Sequence, residues 1–181
     1  MRREFLGVTN AFAELGLAPR PWLAPAEIKT RYHDLARERA PLASLNEARR
    51  ILESPAARLR HLASLVAPEM TEFQKPSPNW AIFETIGNFC KDVREWRKRQ
   101  GTTALERSVQ LAAAGRLRSQ LLAARDLLES DHARLEALTL SLDAGWPQVN
   151  AAALLTLAEE WTFWSRWNDA LHESAALLDG A

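Results

Sequence analysis

Histidine, cysteine and tryptophan are the side chains of this sequence whose chemistry asks first for an account. His33 and Asp34 are adjacent, so on a helix they diverge by about 100° and cannot form a base with its orienting carboxylate. His61, His132 and His172 stand singly, and isolated histidines are more often surface or capping residues than ligands. Cys90, the one cysteine, sits in NFCKD beside Phe89 and reads as a small buried hydrophobe rather than a nucleophile; it has no partner for a disulfide or a paired-cysteine metal site. A glycine-rich phosphate loop, G-x-S-x-G and H-E-x-x-H are all missing. These residues point to a protein that is not an enzyme and needs neither metal nor cofactor. Trp161, Trp164 and Trp167 recur every three residues, a spacing that can present rings for stacking. No Lys/Arg cluster accompanies them to hold phosphates, so they read as core and helix–helix packing, with Trp167 the one turned toward the surface.

The elements that must position these side chains are helical. Ala, Leu, Arg and Glu dominate, glycine numbers only 7, and β-branched residues are sparse, so the fold class is all-α. Lys plus Arg and Asp plus Glu are equal at 23 each, which gives no net field for sequence-independent phosphate binding; no nucleic-acid partner is expected. The opening MRREFLGVTNAF lacks the apolar run of a signal peptide, and no stretch approaches the length of an uncharged membrane span. A soluble, cytoplasmic protein with no membrane partner is the expectation.

Prolines divide the chain. Pro19, Pro21 and Pro25 crowd one segment, and Pro68, Pro76 and Pro78 crowd another, where the fixed φ and missing N–H break helices. Short helices are expected at roughly 8–16, 25–39, 43–52 and 55–66, with Ser54-Pro55 as a start signal. Residues 68–79 read as a linker. Beyond it Ile82, Ile86, Phe89, Val93 and Trp96 share one face of a helix that starts at Trp80, and Gln100-Gly101-Thr102 ends it. A second helix from 103 to 143 would be about 60 Å long, with Gly115 the expected kink or break. The turn Ala144-Gly145-Trp146-Pro147 leads to a last helix carrying Leu154, Leu157, Trp161, Trp164, Leu171 and Leu178. Three long helices joined by short turns form an antiparallel bundle.

The first segments resemble a J-domain, the module through which DnaJ-type cochaperones stimulate DnaK-type ATPases. AFAELGLAP is similar to its first helix, AEIKTRYHDLARERAP to its second, and LNEARRILESPAARLRHL to its third and fourth. SPAARLRHLASL, followed by a proline-marked linker and three helices, resembles the HscB cochaperones of iron–sulfur cluster assembly. The resemblance implies a short-helix J-like domain at 1–67, a linker at 68–79 and a three-helix bundle at 80–181. It also implies a loop triad of His-Pro-Asp, and here the matching positions are Ala40, Pro41 and Leu42, so only the proline survives. In the family, basic residues of the second helix assist through charge, and the resemblance implies Lys29, Arg31, Arg37 and Arg39 as the candidates for that role here. Only Ala43, Ser44 and Leu45 separate Leu42 from Asn46, which leaves almost no loop, and Leu42 is expected to pack into the shortened third helix. The expectation is a J-like scaffold without ATPase stimulation.

The same resemblance places a client-binding patch at Ile82, Phe83, Ile86 and Phe163, with Gly87 and Cys90 where acidic residues would stand. Helical spacing alone would put Ile82, Ile86, Trp161 and Trp164 in the core, while Phe83 and Phe163 lie off the main stripes. The implied partner is a protein, either a DnaK-type chaperone or an iron–sulfur scaffold-like client. A structural helical protein that pairs with copies of itself is the competing reading; the sequence leaves the oligomeric state open.

Overall fold

The computed structural model describes residues 10–38, 42–70, 73–77, 79–99 and 102–179. Among them are seven helices and no strand: α1 (Ala11–Glu14), α2 (Pro25–Glu38), α3 (Ala43–Glu53), α4 (Pro55–Val66), α5 (Trp80–Lys98), α6 (Ala104–Ala144) and α7 (Ala151–Asp179). The protein is all-α.

Local chemistry accounts for the helix starts. The Asn10 side chain accepts from the backbone N–H groups of Phe12 and Ala13 at the head of α1. Ser54 caps α4 through Ala57 N–H at 3.3 Å, with Pro55 in the first turn where its missing donor costs nothing. Asn79 caps α5. At α6 a reciprocal capping box forms: Glu106 N–H donates to Thr103 Oγ1 at 3.2 Å, and Thr103 N–H donates to Glu106 Oε2 at 2.8 Å. Gly16 closes α1 with φ 63°, a left-handed conformation that favours glycine.

α6 runs through Gly115 without a break. A Cβ added there would meet nothing within 4 Å, so the expected kink is replaced by an exposed glycine in a regular helix.

The contacts gather into two compact units, residues 1–76 with 136–161 and residues 77–135 with 162–181. The units do not follow consecutive stretches of sequence, because α6 and α7 each contribute to both. The first unit buries Phe12, Leu15, Ile28, Leu45, Leu52, Leu59 and Leu62 together with Leu154 and Leu157 of α7. Asp143, near the end of α6, ties in the N-terminal loop: Arg20 grips its carboxylate with two N–H groups, and Trp22 N–H donates to Oδ1 at 3.1 Å. The second unit packs Ile82, Ile86, Phe89, Cys90 and Val93 of α5 against Leu117, Leu121, Ala124 and Leu128 of α6 and Leu171, Ala175 and Leu178 of α7.

Candidate protein-binding surface

α5 turns two kinds of side chain in two directions. Ile82 and Ile86 are 3% and 0% exposed and belong to the core, so they cannot contribute to a contact patch. Their spacing with Phe89 and Val93 explains this: the four lie on the single face that α6 and α7 cover. Phe83, one position off that stripe, is 49% exposed, and Trp80, one turn earlier, is 67% exposed.

Phe83 is the middle of an aromatic cluster. Its ring stands edge-on to Trp80 at 5.6 Å and to Trp167 of α7 at 5.4 Å, both preferred geometries for aromatic pairs. Phe163 lies one turn before Trp167 on the same side of α7 and is itself exposed. Four large aromatics thus mark one surface of the second unit. Trp80 is the member that sequence reasoning passed over; its position at the head of α5, ahead of the buried stripe and three residues from Phe83, was the available signal.

Trp161 and Trp164 are structural. Trp161 Nε1 donates to Thr139 Oγ1 at 3.0 Å in a buried pair, and Trp164 Nε1 donates to the Leu128 carbonyl at 3.0 Å. Trp167 does reach the surface, half-buried against the core. Cys90 is buried, its Sγ 3.6 Å from the Ala170 carbonyl, while Gly87 is half-buried. Neither supplies a charge to the patch.

In the first unit Ala40, Pro41 and Arg39 lie outside the described residues. Leu42 is 38% exposed at the start of α3, so it does not pack into that helix; the side chain that does is Leu45, at 1%. Ala43, Ser44 and Leu45 form the first turn of α3, which begins directly after Leu42. Lys29, Arg31 and Arg37 are exposed on α2. Arg31 has a structural task, since its Nη2 donates to the Gly16 carbonyl at 3.0 Å, and Arg37 stands 4.0 Å from Asp34.

Polar groups of the first unit that are altered by their surroundings are also structural. Arg58, 4% exposed, donates to the carbonyls of Pro21 at 2.9 Å and Leu52 at 2.6 Å. Burial pushes its guanidinium down to about 10. His61 accepts the Ala11 N–H on Nε2 at 3.0 Å and stacks on Phe12, and burial lowers its pKa. Arg20 holds the Asp143 carboxyl below its ordinary range. Among the described residues no group of three or more His, Cys, Asp or Glu side chains is placed to hold a metal ion. No described helix is long and apolar enough to cross a membrane.

Comparison of the sequence with protein-family models and with curated proteins gives no match.

Proposed function

We propose that the protein is a non-catalytic, cytoplasmic protein-binding adaptor of cochaperone type, with a J-like N-terminal segment that does not stimulate a chaperone ATPase and an HscB-like bundle that receives a client. The observation that carries this reading is the pair of exposed rings Trp80 and Phe83 set against half-buried Trp167, with exposed Phe163 beside them. Large aromatics left in water offer apolar area at little conformational cost, and such rings dominate the energetics of protein interfaces. The loss of the triad letters at Ala40 and Leu42, with a helix starting directly after Leu42, supports the inactive J-like part.

The test is titration calorimetry with the DnaK-type chaperone and the iron–sulfur scaffold of the source cell. Trp80→Ala with Phe83→Ala and Phe163→Ala should weaken binding at least tenfold, since a truncated hot spot costs about 2 kcal/mol or more. Each single exposed site should change the melting free energy by no more than about 1.5 kcal/mol, the upper end for an aromatic pair. Undiminished binding to the scaffold by the triple variant would overturn the patch; no binding to either partner by the wild type would overturn the partner class. In single-turnover ATP hydrolysis neither the wild type nor Ala40→His with Leu42→Asp should accelerate the chaperone. Acceleration by the wild type would show that the altered triad still works, and acceleration by the variant alone that the short connection is no obstacle.

A further inference from the structure

The aromatic surface continues along α5 into charge. At about 100° per residue, Trp80, Phe83, Gly87, Lys91, Arg94 and Lys98 fall within a strip of the helix about 80° wide, at spacings of three and four. Gly87 leaves the middle of the strip without a side chain, and a Cβ added there would meet nothing within 4 Å. Lys91, Arg94 and Lys98 are exposed, and none of the three has an ion pair among the described residues. Arg94 Nε donates to the Cys90 carbonyl at 3.1 Å, which engages only one of its N–H donors. We propose that this strip receives a protein segment that is apolar at one end and acidic at the other. Its apolar side chains meet Trp80 and Phe83, and its Asp or Glu side chains meet Lys91, Arg94 and Lys98, about 12 to 22 Å further along the helix from Phe83. The inference rests on the reading of the aromatic surface as a protein-binding site and adds the sign of the charge its partner carries.

The charges around the strip decide its occupant. Asp92 and Glu95 line a groove on the side of α5 turned to α6, together with Arg99, so these acids stand off the strip. Glu84 borders the aromatic end, two turns before Lys91. On α7, Arg166 and Glu173 stand one turn to either side of Ala170, whose carbonyl meets Cys90, and they add one charge of each sign. The half of the strip from Lys91 to Lys98 thus carries three bases and no acid. Lys98 also suits the negative end of the α5 dipole, but Lys91 and Arg94 lie before the last turn, where that effect has faded. A basic segment would be repelled there, a neutral one would gain nothing from the bases, and an acidic one is both attracted and held in register. Nucleic acid fits the rings less well. The two aromatic pairs stand edge-on, at 73° and 88°, so they make no parallel platform for successive bases, and the chain has no net positive field.

The test is selection of a phage library of random peptides about 18 residues long, the length of helix that spans the strip, on the immobilised full chain. Enriched sequences should combine Trp, Phe or Leu with Asp or Glu and carry net negative charge. The best of them, labelled and titrated by fluorescence anisotropy, should bind more weakly as salt is raised. Lys91→Glu with Lys98→Glu should weaken it about tenfold or more with the circular-dichroism melt retained, and Lys91→Gln with Lys98→Gln by an intermediate factor. Phe83→Ala should weaken it as well. Enriched peptides that lack acids yet depend on Phe83 overturn the proposal and leave the aromatic surface as a protein-binding site. Acidic peptides indifferent to Phe83→Ala overturn the joint strip. A library that yields no peptide overturns the proposal too, while the aromatic surface itself answers to the calorimetry above. Displacement of the peptide by single-stranded poly(dT) would give the strip to nucleic acid, and a dimer in sedimentation equilibrium that dissociates on Phe83→Ala would give it to a second copy; either overturns the proposal.

Discussion

Arg58 shows how the first unit spends a buried charge. Its guanidinium makes both of its hydrogen bonds to backbone carbonyls, Pro21 on the N-terminal loop and Leu52 at the end of α3, and so ties two segments together. Arg58→Met keeps the apolar stem but orphans those two acceptors. It should therefore cost about 2–4 kcal/mol in urea unfolding, well above the cost of Arg50→Met, whose ion pair with Glu47 is exposed. Equal costs would show that Arg58 acts through its stem alone. His61 adds a pH dependence. Its folded pKa is lowered by burial, which disfavours the charged ring, and the neutral ring accepts Ala11 N–H on Nε2. The unfolded chain then binds the proton more readily, so the stability it supports is fully present above the ordinary value of about 6.5 and is lost as pH falls through the lowered one. His61→Gln, which can still accept, should flatten the acid side of the melting-midpoint profile; an unchanged slope would assign the pH dependence elsewhere. Neither role is legible in sequence, where Arg58 and His61 are two polar letters in an amphipathic helix. Arg58 reaches Pro21 across 37 positions, and His61 reaches Ala11 across 50.

At the scale of elements the sequence was far more explicit. Ser54-Pro55 and Trp80 mark helix starts that the structure shows, and the stripe from Ile82 to Val93 is the buried face of α5. The capping box at Thr103–Glu106 was also written in the T-x-x-E spacing and went unread beside the stronger signal of Gly101. Hydrogen bonds from the backbone and side chains of Thr103 and Thr102 hold the Glu106 carboxyl down to about 2, so it stays charged below the ordinary carboxylate range, and the stability of the cap is lost only as pH falls through that value. Gly115 misled because glycine lowers helix propensity wherever it stands, while the turns on either side of it carry buried Ala114, Leu117 and Leu121. Tertiary packing on that face outweighs a local cost of roughly 1 kcal/mol. Gly115→Ala should accordingly stabilise the protein by about 0.5–1 kcal/mol, since the new methyl meets open space and the unfolded chain loses freedom. A destabilised variant, read from the urea midpoint, would mean that α6 needs flexibility at this turn.

For the whole molecule, the contacts divide at Pro76 and Ser77, inside the proline-rich stretch, yet residues 136–161 from beyond it join the first unit. Prolines report on local backbone, and they do end the short-helix segment before α5. They carry no information on which distant residues close the core of that segment. Arg20 meets Asp143 across 123 positions, Arg60 meets Glu159 across 99, and Thr156 Oγ1 donates to the Gln74 carbonyl at 2.9 Å. Residues 136–161 also bring buried Leu154, Leu157 and Ala158 to the first unit. A fragment ending at Pro76 forfeits all of these. Burying a leucine contributes about 1.5–3 kcal/mol, so losing two of them removes roughly 3–6 kcal/mol from a chain whose size leaves it marginal in any case. The fragment 1–76 should therefore lack the cooperative thermal transition of the intact protein, and added peptide 136–161 should restore part of its helical signal. A fragment that melts cooperatively at the midpoint of the full chain would show that residues 1–76 are a self-sufficient domain, and that the J-like segment needs nothing from the end of α6 and the start of α7.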